Sequence, residues 1–125
     1  MFNFILLMVV LHFVSDFVLQ THWQAINKNR YWDALLMHTF MYSICVTIGL
    51  SAYIMLNYGF QNIAQQLTTF FAITLISHTV IDYISSREAK KFFDRSDYHN
   101  GFVVIGLDQM IHYLQLFLTV KYLFT

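Results

Sequence analysis

Residues 2–20 read FNFILLMVVLHFVSDFVLQ, an almost wholly apolar run interrupted by His12, Asp16 and Gln20. These three recur every four residues, so on an α-helix they form one polar stripe along an otherwise greasy rod. A run of this length and character suits a hydrocarbon layer, which takes about 20 helical residues to cross. Three further runs of the same kind cover residues 34–56, 67–86 and 102–124. The chain therefore reads as all-α, a single transmembrane domain over residues 1–125 built as an integral membrane four-helix bundle.

Composition agrees with a lipid environment: 58% of residues are hydrophobic, 18% aromatic and only 11% charged. A soluble all-α core is the competing reading, but it requires a polar outer face on every helix, and none of the four runs has one. Net charge is zero, and no Lys/Arg tract or GK-type phosphate loop is present, which excludes nucleic acid and nucleotides as partners. Cys45 is the only cysteine, so no intrachain disulfide forms. No Lys or Arg precedes the first run and no small-residue cleavage pattern follows it, so it reads as a retained helix.

Charge placement sets an orientation. Residues 21–33, THWQAINKNRYWD, carry Lys28 and Arg30, and residues 87–101, REAKKFFDRSDYHNG, carry Arg87, Lys90, Lys91 and Arg95. Only Lys121 lies elsewhere, so the positive-inside rule makes the first face cytoplasmic and places both termini outside the cytoplasmic membrane. Trp23, Tyr31 and Trp32 at one interface, with Tyr53 and Tyr58 at the other, suit aromatic belts. The NYGFQN segment, residues 57–62, reads as a turn. The 87–101 segment reads as the longest loop, a candidate surface segment or lid.

The stripe of the first run has counterparts. The third run holds His78 and Asp82 four apart, with Thr74 and Ser85 on the same face. The fourth holds the pair in reverse, Asp108 then His112, continued by Gln115 and Thr119. The second run offers His38, with Tyr42 and Cys45 on its side. Because alternate helices run in opposite directions and rise about 1.5 Å per residue, His12 and His112 fall near mid-depth. Asp16, His78 and Asp108 fall about a turn deeper, and His38 and Asp82 nearer the cytoplasmic interface. The reversal in the fourth run is what an antiparallel partner needs to match the first.

A carboxylate at the centre of a span costs about 2.5 to 3.5 kcal/mol on insertion scales, and such groups face the bundle interior and mark function. Three in one pocket repel one another unless cations are near. The sequence puts no Lys or Arg at their depth, so one or two divalent ions, zinc, manganese or iron, are the expected compensation. The expected ligands are His12, Asp16, His38, His78, Asp82, Asp108 and His112. Asp16 and His112 are the expected catalytic pair, and Gln20 and Gln109 the expected orienting side chains. A lone membrane His or Asp is commonly a hydrogen-bonded packing group, and it is the constellation that favours chemistry. His22, His99 and Cys45 read as an interfacial side chain, a loop side chain and a core thiol.

On the HxxxDxxLQ segment from His12 to Gln20, followed by Trp23 and Lys28, the isolated His38, the HxxxD of His78 to Asp82 and the DQxxH of Asp108 to His112, the chain resembles a small family of bacterial and phage membrane proteins. That family is known as domain-of-unknown-function family 3307. The resemblance spans nearly the whole chain and implies a polytopic membrane protein without naming an activity. A more distant likeness to membrane-bound metal-dependent hydrolases with His/Asp helical motifs makes hydrolysis conceivable by analogy.

Four functional readings follow. A metal-activated water could hydrolyse a lipid-linked or phospholipid-type ester, with Lys28, Arg30, Lys90 and Lys91 near its anionic headgroup. The same ladder could pass protons or metal ions, a role for which this chain is small, lacks paired broken helices and would call for a homo-oligomer. A haem site would use the histidines but not an Asp one turn from each. A non-catalytic membrane accessory protein would use the cluster as interhelical glue.

Overall fold

The computed structural model describes residues 2–59 and 62–124, with side chains from Phe4 onward. Among the described residues, five α-helices and one π-helical segment account for the regular structure: α1 (Phe2–Phe13), a π segment (Val14–Val18), α2 (His22–Asn27), α3 (Trp32–Tyr58), α4 (Ala64–Asp94) and α5 (Tyr98–Phe124). Among the described residues there is no strand. Helices α3, α4 and α5 are each long and apolar enough to cross a membrane. The first apolar run is not the uniform helix expected over residues 2–20, because its α-helical part ends at Phe13 and the π turn and Leu19 close it. Its apolar stretch, Phe4–Val18, is shorter than the other three.

Helix ends follow local chemistry. Thr21 caps α2 by accepting from the Gln24 backbone at 3.2 Å while the Gln24 side chain accepts from Thr21 N, a reciprocal capping box. Gly59 stops α3 at φ 77°, a left-handed value that glycine adopts without steric cost. The turn expected over residues 57–62 falls partly outside the described residues, since Phe60 and Gln61 are not among them.

The expected 87–101 loop is instead mostly helix. Charge pairs one turn apart, Lys90 with Asp94 and Lys91 with Glu88, favour continuing α4 through Asp94. Asp97 Oδ1 then accepts from Asn100 N at 3.2 Å and starts α5. Only residues 95–97 separate the two helices, so this segment is a tight turn and not a lid. The side-chain and backbone hydrogen bonds from Asn100 hold the Asp97 carboxyl below its ordinary value.

The long helices pair α3 with α4 and α4 with α5, and α1 packs against both α3 and α5. Gly49 marks the closest α1–α3 approach, where a Cβ would collide with the Leu11 side chain. The polarity of the packed chain is inverted relative to a soluble domain. His12, His38, His78 and His112 are essentially fully buried, whereas Leu56 is 86% exposed, Ile76 66% and Ile48 63%. Large apolar side chains are exposed all along the helices, three of which are long and apolar enough to cross a membrane.

Candidate metal centre

Each element delivers its polar residues for a local reason. In the first run, the π turn, closed by Leu19 N to Val14 O at 2.9 Å, buries both Ser15 and Asp16. Such single π turns are frequent at functional sites. Helix α3 aims His38 and Tyr42 inward, α4 aims Thr74, His78 and Asp82, and α5 aims His112 with Asp108 at the edge.

The imidazoles meet the carboxylates through one kind of nitrogen. His38 Nε2 lies 3.1 Å from Asp16 Oδ1 and 3.2 Å from Asp82 Oδ2. His78 Nε2 lies 3.3 Å from Asp16 Oδ1, 3.6 Å from Asp82 Oδ1 and 3.4 Å from His38 Nε2. His112 Nε2 lies 3.1 Å from Asp82 Oδ1 and 3.4 Å from Asp108 Oδ1. Each Nε2 carries at most one proton, so six nitrogen–oxygen approaches exceed what three protons can serve.

The distances discriminate further. A charge-assisted N–H to carboxylate bond is about 2.7 to 2.9 Å, whereas four ligands at about 2.0 to 2.1 Å from a tetrahedral metal stand about 3.3 Å apart. Ordinary ion pairs elsewhere in the chain are short, such as Lys90 to Asp94 at 2.6 Å. The imidazole–carboxylate approaches are longer: three, at 3.1 to 3.2 Å, lie at the end of the ordinary N–H···O range, and three, at 3.3 to 3.6 Å, lie near the metal-ligand edge. Two groups of donors can hold an ion: Asp16, His38, His78 and Asp82, and Asp82, Asp108 and His112. Asp82 belongs to both.

Stacking fixes the ring planes. The Tyr42 ring lies 3.8 Å from that of His78 at 18°, and His78 lies 4.1 Å from His112 at 28°. His78 Nδ1 and His112 Nδ1 are buried without a hydrogen-bond partner, so stacking orients these two rings in place of a second hydrogen bond.

The other expected residues fall as follows. His12 has both ring nitrogens engaged, Nδ1 with Tyr42 OH at 2.7 Å and Nε2 with Gln109 Oε1 at 2.8 Å, and stands 3.8 Å from Asp16 Oδ2. Gln109 Nε2 donates to Asp16 Oδ2 at 3.2 Å and Asp108 Oδ2 at 2.9 Å, so one amide ties His12 to two carboxylates. Gln20 makes no such bond, and its Oε1 is buried and unpartnered. His22 and His99 are exposed, and Cys45 is a half-buried free thiol.

One expectation is overturned. A cation does reach the cluster: Lys28 Nζ donates to Asp82 Oδ2 at 2.8 Å and faces His38 Nε2 at 3.4 Å. Lys28 follows α2, which folds back against α3 and lets a loop lysine reach inward along its four-carbon stem. Burial pushes its ammonium pKa down, and the carboxylates of Asp82 and Asp16 outweigh that, leaving it above the ordinary lysine value. Tyr42, hydrogen-bonded to His12, and Ser85, donating to Asp108 Oδ1, also join the network.

A cavity of about 470 Å³ adjoins the cluster, lined by Asp16, Asp82 and Asp108 and by Lys28, Arg30 and Lys90. On the opposite side Met8, Val46, Phe70 and Leu116, all fully buried, form a continuous apolar core.

The class so defined is a helical protein with three membrane-length apolar helices and an interior His/Asp cluster able to hold a metal ion. Residues 4–125 match the family described as "Protein of unknown function (DUF3307)", and the chain belongs to that family. No curated protein and no solved structure matches the chain.

Proposed function

We propose that this is a four-helix integral membrane protein, its basic end cytoplasmic and both termini outside, whose divalent metal centre hydrolyses a lipid-type ester. One observation carries the reading: buried imidazole and carboxylate donors spaced as metal ligands share Asp16 and Asp82 with the lining of a cavity that also holds Lys28, Arg30 and Lys90. The apolar layer of Met8, Val46, Phe70 and Leu116 beyond the cluster favours chemistry in a one-sided pocket over passage of ions.

Asp16, His38, His78 and Asp82 would hold the ion. A divalent metal there would supply Lewis acidity and would lower the pKa of a water toward about 7. Hydrolysis consumes one water, whose oxygen bonds to the acyl or phosphoryl centre while the bond from that centre to the alkoxy oxygen breaks. One proton ends on the departing alcohol and the other is released with the acid. His112, between Asp82 Oδ1 and the cavity-lining Asp108, is placed to carry that proton between cluster and cavity. Gln109 fixes the carboxylates of Asp16 and Asp108.

The test is elemental analysis of detergent-purified protein beside Asp16→Ala and His112→Ala, followed by a screen of lipid esters. About one equivalent of zinc, manganese or iron is expected, lost in Asp16→Ala but kept in His112→Ala, which should lose ester hydrolysis instead, with the helical content of both variants intact. A metal-free protein after chelator-free purification in metal-supplemented buffer overturns the reading.

A further inference from the structure

The cavity above the cluster is built from more than the metal ligands. Its charged wall residues are three carboxylates, Asp16, Asp82 and Asp108, and three cations, Lys28, Arg30 and Lys90. With Lys90 offset by Asp94 outside the cavity, the three carboxylates face Lys28 and Arg30, so one divalent ion leaves the pocket with an excess of one positive charge. An ion beside Asp82 also repels the Lys28 ammonium, which already borders the cavity. Lys90 pairs with Asp94, an exposed carboxylate outside the cavity, and the Arg30 guanidinium has no side-chain partner among the described residues.

Two neutral groups point to a second recognition element. Gln20 Oε1 and Asn29 Oδ1 are both buried without partners, and both residues line this cavity. Buried carbonyls left unpaired cost free energy that a ligand donor recovers. They call for hydrogen-bond donors, which the hydroxyls of a polyol headgroup supply. Besides Ser85, Ser86 and Gln109, the remaining lining is apolar and includes Phe17, 46% exposed, and Ile26, 55% exposed, with Ile105 and Phe93. Such a lining accepts hydrocarbon chains, and the volume falls within the usual range of ligand pockets.

Resting on the metal-centre reading, we infer that the cavity is a subsite for a phospholipid whose anionic headgroup carries both a phosphate and free hydroxyls, of the phosphatidylglycerol type. Arg30 and Lys90 take the phosphate, Gln20 and Asn29 accept from the hydroxyls, and Phe17 and Ile26 seat the start of the acyl chains.

Native mass spectrometry of the zinc-treated protein, with equal amounts of phosphatidylglycerol, phosphatidic acid and phosphatidylcholine in the detergent, tests this. Phosphatidylglycerol should be retained about tenfold over phosphatidylcholine, and Arg30→Gln and Lys90→Gln should each lower that retention several-fold at unchanged metal content. Gln20→Leu should erase the preference for phosphatidylglycerol over phosphatidic acid. Equal retention of the three lipids, or indifference to both cation substitutions, overturns the inference. Displacement of all lipid by millimolar inorganic phosphate assigns the site to a soluble phosphate and overturns it too. Zinc content read on the same samples separates the two readings: bound zinc without lipid preference sinks the subsite alone, and absent zinc sinks the metal centre.

Discussion

Asp82 is where the cluster is most exposed to refutation. Its carboxylate is 1% exposed and meets Lys28 at 2.8 Å, His112 at 3.1 Å, His38 at 3.2 Å and His78 at 3.6 Å. Asp82→Asn keeps the shape and removes the charge, leaving the Lys28 ammonium facing imidazoles. Breaking a buried pair on one side costs about 3 to 5 kcal/mol. Lys28 is 18% exposed and borders the cavity, so it can withdraw toward solvent, which puts the expected cost near the lower end, about 3 kcal/mol. Lys28→Met leaves Asp82 with three imidazoles and should cost less, about 1 to 2 kcal/mol. The double variant should then be more stable than the sum of the singles by about 2 kcal/mol. Equilibrium unfolding in mixed micelles, followed by helical circular dichroism on chelator-treated samples, measures the cycle. Additivity within about 0.5 kcal/mol refutes the Lys28–Asp82 pairing. Asp82→Asn should also abolish metal uptake altogether, because both donor groups include it.

Three other outcomes are expected. Tyr42→Phe removes the hydroxyl at 2.7 Å from His12 Nδ1 and should destabilise by about 1 to 3 kcal/mol while metal content holds, as read by thermal unfolding and elemental analysis. Gly101→Ala would set a Cβ 2.5 Å from Phe93 Cε1, so it should destabilise by about 1 to 3 kcal/mol, and Phe93→Leu in the same chain should recover most of the loss in a thermal melt. The depressed Asp97 carboxyl stabilises the start of α5 above its unfolded pKa of about 3.9, a contribution lost as pH falls through its lower folded value. The Asn100 amide shift followed by NMR should therefore titrate with a midpoint below that unfolded value, and a midpoint at or above it removes the cap.

The sequence exposes what repeats with helical period and hides what depends on where a short segment folds back. His12 and Asp16, His78 and Asp82, and Asp108 and His112 are legible because a spacing of four puts each pair on one face, and burying that face brings the pairs together. The three long helices are legible from apolar length alone. The π turn at Val14–Val18 carries no such signature, since nothing in VSDFV departs from an α-helical pattern. Lys28 is illegible for a different reason: it stands in a connection, and reaching Asp82 depends on α2, whose only local sign is the T-x-x-Q capping box of Thr21 and Gln24. The continuation of α4 was recoverable from the one-turn charge pairs of Lys90 and Lys91, which the charge count masked as a loop.

Lys28 also changes how many ions the cluster calls for. Three carboxylates with no cation nearby leave a charge of minus three, which one divalent ion cannot neutralise and two overshoot. With the Lys28 ammonium bound to Asp82 Oδ2 and the imidazoles neutral, the residual charge is minus two. One divalent ion balances that, and the group of Asp16, His38, His78 and Asp82 is the better place for it because it supplies four donors where Asp82, Asp108 and His112 supply three. Asp108 then has no ion of its own, consistent with its hydrogen bonds from Ser85 and Gln109 and its place on the cavity wall. A carboxylate so held, beside His112 and open to the cavity, can exchange a proton with an incoming substrate, a freedom a metal ligand lacks. On the function proposed above, the lysine that makes a second metal unnecessary is thus what leaves Asp108 free for acid–base work.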